Sequence, residues 1–464
     1  MKTQLVTKKK KNLTLTMGRA VIIFGIVFIL FGVAGAQKEE KLLLNLEQLI
    51  EMAIAKSPEL GETQSEIAAS QSDLEQVKAA YYPQIESTAI LGPVDNAKRP
   101  EVRGTRIIDP ADGGIGIFGR LGFTVAQPVY TFGKLSNRKE AASRGVRAKE
   151  LKIVERKNEI VLQVKELYYA LILARDGINS ANEADAFFDD ARSRMKRLLE
   201  LGSANVMESD LYRVDAYRAG TVRSRAEAEK GVKVAYFALK SLIYLPPDKE
   251  FDLTEKVLPM KEGALADLEN YIQKAFVDRP EFKQLDEALA AQESQIQAVQ
   301  SDRYPSVFVA LEGSLAGAPG REFFRNPYIP DEFNHVQIGA IAGVRWNFDF
   351  GISKAKVEKE KAEYARLQYA KATGKLKIPI QVAKYYQEVR EWKVAVGAYR
   401  EAALASRKWI VAAFTNFDMG IGTADDMLRG IEKYGENQGK YLEALFNYNL
   451  SLAQLEYAVG TKTW

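Results

Sequence analysis

The chain has 464 residues, 47% hydrophobic and 27% charged, and it contains no cysteine. That length can bury a large core, while the missing cysteines exclude disulfides, thiol chemistry and an N-terminal lipid-anchored cysteine. The apparent basicity, 65 Lys and Arg against 61 Asp and Glu, is local: residues 1–36 carry Lys2, Lys8, Lys9, Lys10, Lys11 and Arg19 and no acid, so the remainder holds 59 basic against 61 acidic side chains and shows no nucleic-acid footprint.

The first segment reads as a targeting signal. A basic stretch ending at Arg19 precedes the apolar run Ala20 to Val33, and Ala34-Gly35-Ala36 offers small residues for cleavage. The run falls short of the ~20 residues a membrane span needs. Residues 1–36 are therefore expected to be a signal peptide, with an exported chain starting near Gln37. No other apolar run is long enough for a transmembrane helix.

The rest is written twice. Leu46, Ala53, Pro58, Glu59, Val77, Tyr82 and Pro83 recur 222 residues later as Leu268, Ala275, Pro280, Glu281, Val299, Tyr304 and Pro305. Phe132-Gly133 returns as Phe350-Gly351 and Gly202 as Gly420, at an offset of 218. A period this long is too great for a solenoid and implies a duplicated half-protein. The first repeat is expected over 37–245, a linker over 246–265, and the second repeat over 266–464.

In chain order, Leu46 to Lys56 is amphipathic, and Pro58 opens a helix that Pro83 stops. Alternating residues predict strands at about 84–92 and 116–130, separated by a polar loop at 93–115. The second copy predicts strands at about 306–316 and 336–349. In the last of these, Val336, Ile338, Ala340, Ala342, Val344 and Trp346 oppose Gln337, Gly339, Ile341, Gly343, Arg345 and Asn347. That pattern suits a membrane barrel strand, and equally a half-buried antiparallel sheet. Two long helices follow, at about 134–201 and 352–418, each ~100 Å at the helical rise. Val382, Tyr385, Val389, Trp392, Val396 and Tyr399 step by threes and fours, as do Val161, Val164, Tyr168 and Leu171, so both helices need coiled-coil-like partners. Pro379 should interrupt the second. Return helices are expected at 205–244 and 423–459, with tips near Gly202 and Gly420.

Few residues suggest chemistry. Gly114-Ile115-Gly116-Ile117-Phe118-Gly119 has dinucleotide-binding spacing, but a polar loop precedes it and a strand follows, the wrong context for that motif. His335 has no second histidine and no cysteine for a metal or nucleophilic site. No catalytic constellation, metal site or cofactor site is expected. At the tips, glycine supplies a left-handed helix end, and Asn205-x-x-Glu208 and Thr423-x-x-Asp426 read as caps of the return helices.

These residues resemble the TolC-like outer membrane efflux protein family over 37–464. The likeness rests on the openings Ser57-Pro58-Glu59 and Arg279-Pro280-Glu281, the two Tyr-Pro junctions, the exit Gln127-Pro128-Val129-Tyr130-Thr131-Phe132-Gly133 and the two glycine tips. It implies a mainly α fold with a β-barrel portion: four membrane strands per chain closing as a twelve-stranded barrel in a homotrimer, above a periplasmic α-barrel of long helices. Independently, four strands cannot close a membrane barrel, which needs at least ~8, so oligomerisation is required.

The resemblance implies an outer membrane channel-tunnel, the passive exit duct of a tripartite efflux or type I secretion system. Its implied partners are a periplasmic adaptor, an inner-membrane pump of RND, ABC or MFS type, and outer membrane lipid. By position, Leu201, Gly202, Asn205, Met419, Gly420 and Thr423 fall at the adaptor-docking tips. Glu208 and Asp426 fall at the entrance acids. Arg429 stands where the family's best-known member has a second aspartate, and Gly422 where it has an arginine. The second strand exit, Arg345 to Gly351, lacks the family's proline. Drugs, metals and polypeptides all remain open as cargo, with no methionine- or histidine-rich lining to favour metals. The structural alternative is a soluble periplasmic coiled-coil scaffold without channel activity, and an enzyme is the remaining one.

Overall fold

A computed structural model describes residues 41–98, 101–103, 105–108, 114–203, 205–261, 263 and 265–461. The expected signal peptide, residues 1–36, lies outside the described residues. Within them the chain falls into two units.

The smaller unit pairs β1 (Leu42–Leu44) in parallel with a strand at Phe251–Leu253, in register Leu42↔Phe251 to Leu44↔Leu253. Alternation over three residues is too short to stand out, so the expected linker 246–265 hides this strand.

The larger unit begins with α1 (Leu46–Lys56) and α2 (Pro58–Ala79). Ser57 caps α2, its hydroxyl accepting from Leu60 N–H at 3.4 Å, and Pro58 occupies the first turn, where no N–H is needed. Then come β2 (Gln84–Asp95), the short hairpin β3 (Glu101–Arg103) and β4 (Arg106–Ile108), and β5 (Ile115–Tyr130). The loop expected at 93–115 thus contains strand: β2 continues through Pro93 to Asp95. The Gly114–Gly119 spacing runs into β5 as extended strand.

The first long helix, α3 (Lys134–Glu200), and its return, α4 (Glu208–Leu242), follow; β6 is the Phe251–Leu253 strand already described. The second copy gives α5 (Leu268–Asp278), α6 (Pro280–Gln300), β7 (Ser306–Gly317), β8 (His335–Arg345), α7 (Ile352–Asp418) and α8 (Ala424–Val459). The strand expected to reach 349 stops at Arg345, which pairs with Ser306 at the start of β7. Pro305 precedes Ser306 and has no N–H to extend the ladder.

The two long helices have 67 residues each. Val382, Val389, Val396, Ala403, Ile410 and Phe417 are all at most 5% exposed, an unbroken seven-residue repeat along α7. Such a repeat drifts against the 3.6-residue turn, so it follows its partner α8 only by left-handed supercoiling. α7 continues across Pro379. On the other long helix Val161, Val164, Tyr168 and Leu171 are buried. α3 packs against its return α4 and also against α2, α6 and α8.

The sheet order is β2-β5-β7-β8, all antiparallel, so within one chain β2 and β8 are open edges. At Pro128 the register slips by one residue, a bulge that accommodates a proline in a central strand.

Candidate functional site

Strand register sorts the sheet into two faces. One carries Ile85, Leu121, Phe123, Val125, Leu311, Leu315, Val336 and Ile338, many of them exposed despite being apolar. The opposite face carries the rows Glu86–Thr124–Glu312–Gly339 and Thr88–Gly122–Ser314–Gln337. Close packing on these faces needs glycine in two places. A Cβ on Gly313 would lie 2.2 Å from the Phe123 ring, and one on Gly343 would lie 2.7 Å from the Phe308 ring. Twelve residues of β2 rise ~40 Å, which at a barrel tilt of ~40° spans the ~30 Å hydrocarbon layer.

His335 closes the top of this sheet. Its Nδ1 lies 2.8 Å from the Asp331 carbonyl, which can only accept, so Nδ1 carries the proton and Nε2 accepts from the Ser314 hydroxyl at 2.9 Å. The Asp331 carboxylate accepts from the backbone N–H of Phe324, Phe333 and Asn334, which holds it below the ordinary carboxylate range. Asp331 and His335 organise the β7–β8 loop; among the described residues no group of three or more His, Cys, Asp or Glu could hold a metal.

At the opposite end of the molecule's larger unit are the two helix-hairpin tips. Both long helices end in the same way. Gly202 (φ 70°) and Gly420 (φ 78°) take the left-handed conformation. Their N–H groups donate to Leu199 and Phe417 carbonyls, and the next N–H groups, of Ser203 and Ile421, to Leu198 and Asn416. These are Schellman ends. Leu201 and Met419, the residues before the glycines, are 74% and 60% exposed.

The loops then differ. Residues 201–207 join α3 to α4, but only 419–423 join α7 to α8. In the shorter tip Thr423 is the cap, its hydroxyl accepting from Asp426 N–H at 3.2 Å. In the longer tip the cap position falls on Met207, not on Asn205. Glu208 is consequently the first helical residue, where its carboxylate accepts from the Tyr212 hydroxyl at 3.2 Å. The acid that reaches back to the cap is Asp210, which accepts from Met207 N–H at 3.0 Å. The two extra loop residues free Asn205 from capping, and its side-chain amide donates instead to Gly420 O at 3.0 Å, tying one tip to the other.

Further ties join the hairpins. Arg213 of α4 pairs with Asp425 of α8, and Arg194 of α3 pairs with Asp418 of α7. Arg429 reaches the same Asp425 carboxylate at 2.7 Å along its own helix. Asp426 instead accepts from the Trp409 indole N–H at 3.0 Å, a contact inside one hairpin. Higher up, Glu183 of α3 takes Tyr434 Oη–H of α8 at 2.5 Å and Arg407 of α7 at 2.9 Å. Burial, reinforced by that carboxylate, pushes the Tyr434 phenol well above its usual range. The Arg218 guanidinium beside Asp185, with Arg225, holds the Asp185 carboxyl below its usual range and knits α3 to α4.

Beneath these polar ties lies one shared apolar core. Phe188 and Met195 of α3, Val214 of α4, Ile410 and Phe417 of α7, and Met427 and Ile431 of α8 form a single buried cluster. Gly422 is locked into it: a Cβ there would sit 2.8 Å from Phe417 N and 2.9 Å from Asn416 C. No side chain fits at that position without displacing the Asn416 and Phe417 backbone.

The helix turns expected near Gly202 and Gly420 are present, while the contacts around them follow partners the spacing does not name. Leu201, Gly202, Met419, Gly420 and Thr423 form the two turns; Asn205 and Arg429 belong to the ties; Glu208 and Asp426 make local contacts. Arg213, Asp425, Arg194, Asp418 and Asp210 were missed. The spacing of Asp425 to Arg429, four residues on one helix, was a legible signal for one of them. The pairings between hairpins, more than 200 residues apart in sequence, left no trace.

A sequence model of the outer membrane efflux protein family matches residues 49–242, from within α1 to the end of α4. The outer membrane protein TolC of Vibrio cholerae is 22% identical over 308 residues, covering 65% of this chain and 68% of that protein. Among solved structures, the outer-membrane channel OprN superposes with a TM-score of 0.75 at 17% identity, covering 90% of both chains. The MtrE outer membrane channel of Neisseria gonorrhoeae gives 0.72 at 16%, over 90% of this chain and 89% of that one. The CmeC outer membrane channel of Campylobacter jejuni gives 0.70 at 13%, over 98% and 94%. The matched segment and the relative thus liken this chain to TolC-like outer membrane efflux proteins, and the solved channels share its fold.

Proposed function

We propose that three copies of the chain close one twelve-stranded barrel in the bacterial outer membrane and act as the passive exit duct of a tripartite efflux or type I secretion system. The observation that carries this is the four-stranded sheet with two open edges, an apolar face and a polar face. Unpaired backbone at a membrane-embedded edge is not tolerated, so β8 of one copy must pair with β2 of the next. Four strands per chain fit a trimer within the size range of such barrels. The apolar face then meets lipid, and the rows holding Glu86, Glu312, Thr88 and Gln337 face the water-filled lumen.

In this reading each sequence repeat supplies two strands and one helical hairpin. The hairpins continue the lumen into the periplasm, and their tips form its entrance. Leu201, Gly202, Asn205, Met419, Gly420 and Thr423 form the surface for a periplasmic adaptor, which connects the duct to an inner-membrane pump. The closed entrance is held within each protomer by the Arg213–Asp425 and Arg194–Asp418 pairs and the Asn205–Gly420 hydrogen bond. Opening slides one hairpin against the other over the common core. No group in this path needs to react with cargo; the duct works by shape and electrostatics.

The test joins one cysteine placed in β2 to one placed in β8, for example Ser87→Cys with Ala340→Cys on the lipid-facing register, followed by oxidation. A disulfide-linked trimer is the expected product. Protein that stays monomeric and freely soluble without detergent would sink the duct and leave the periplasmic scaffold.

A further inference from the structure

Every described α-helix except two has an acid in its first turn: Glu47, Glu59, Glu208, Glu269, Glu281 and Asp425 are examples. The exceptions are α3 and α7, the two helices that leave the sheet. Each instead has a lysine in its first turn, Lys134 in one and Lys354 in the other; Lys134 pairs with Asp302 at 2.6 Å, and the Asp349 carboxylate before α7 accepts from Ser353 N–H at 2.8 Å. Arg138 and Lys139 follow in α3, and Lys356 and Lys359 in α7; these four are exposed and form no ion pair with a described residue.

Just above them stands a belt of exposed aromatic residues. Tyr82 and Tyr304 precede β2 and β7, Tyr130 ends β5, and Trp346, Phe348 and Phe350 follow β8, with exposures from 51% to 107%. All four strand ends at the helical end of the sheet therefore carry them. Trp346 extends the alternate-residue series of Val336, Ile338 and Val344, and its indole N–H donates to Arg303 O at 3.0 Å. Ile352, 63% exposed, then opens a helical stripe with Lys356 and Lys359 at the fourth and seventh following positions. One helix face thus passes from apolar to cationic within ~10 Å of the helix start, comparable to the depth over which a bilayer passes from hydrocarbon to phosphate.

We propose that Arg138, Lys139, Lys356 and Lys359 form a collar that binds the anionic phospholipid headgroups of the periplasmic leaflet, with the aromatic belt seated at the hydrocarbon boundary above it. The proposal rests on the membrane-barrel reading and adds to it a preference for lipid charge. Each cation at an anionic surface strengthens binding about five-fold, provided it sits within a Debye length of the phosphates.

The test uses the full chain reconstituted in phosphatidylethanolamine vesicles containing an equal fraction of brominated phosphatidylglycerol or brominated phosphatidylcholine, with quenching of Trp346 as the readout. The expected result is a relative association at least five-fold higher for phosphatidylglycerol. In the Arg138→Gln, Lys139→Gln, Lys356→Gln, Lys359→Gln variant that ratio falls to about one, while quenching by phosphatidylcholine is unchanged, which shows the barrel intact. Equal quenching by the two lipids in the wild type overturns the collar and leaves the barrel standing. Retention of the preference in the variant overturns the collar as well. Absence of quenching by either lipid removes the membrane reading itself.

Discussion

Replacing Asp425 by Asn is the sharpest probe of the proposed entrance. The substitution keeps side-chain volume and removes the charge that Arg213 of the other hairpin meets. The Arg213 and Asp425 side chains are 44% and 30% exposed, so the pair is partly screened and contributes about 0.5–1 kcal/mol. The Arg429 contact to the same carboxylate stays within α8 and adds nothing to the tie between hairpins. If the three protomers of a trimer open together, the closed state loses about 1.5–3 kcal/mol, a rise of roughly 10- to 150-fold in the open-to-closed ratio. Open probability in planar bilayers measures this, with Asp426→Asn as the internal control because Asp426 contacts only Trp409 of its own hairpin. The difference between wild type and Asp425→Asn should shrink in 1 M salt, where the screening length is ~3 Å. Equal open probability of wild type and Asp425→Asn at low salt, or a larger effect from Asp426→Asn, would refute the assignment of the tie.

Other perturbations test the packing beneath. Phe417→Ala empties a site 1% exposed at the end of the α7 repeat and should cost about 3–5 kcal/mol in denaturant unfolding, whereas Val394→Ala at 73% exposure should stay within about 0.5 kcal/mol. Gly422→Ala forces a methyl group against the Phe417 and Asn416 backbone and should raise amide exchange at the second tip, leaving the first unchanged beyond Asn205. Lys149 and Lys152 hold the Glu66 carboxyl at about 2 against an ordinary 4.5, so Glu66 stabilises the α2–α3 contact fully above pH 4.5. That contribution is lost as pH falls through about 2, and amide exchange in α2 should converge between wild type and Glu66→Gln over this range.

The parts of this molecule that follow a local period could be read in advance. Val382, Val389 and Val396 announce a helix partner because their spacing is set by one helix alone. Ile338 against Gln337 announces a two-faced strand for the same reason. What could not be read depends on pairing or on loop length. The end of β8 at Arg345 is set by its partner, because Pro305 stands just before the first residue of β7. The three-residue β1–β6 pair is too short to show alternation. Asn205 is a cap by spacing, yet two added loop residues hand that place to Met207 and turn the asparagine toward Gly420. Gly422 reads as a missing arginine in sequence and as a filled space in three dimensions.

The most direct test of the channel itself is electrical. Protein extracted by detergent from outer membranes and added to a planar bilayer should produce discrete conductance steps, small in wild type and more frequently open in Asp425→Asn. A mature chain that needs no detergent and never changes bilayer conductance in either form would contradict the account.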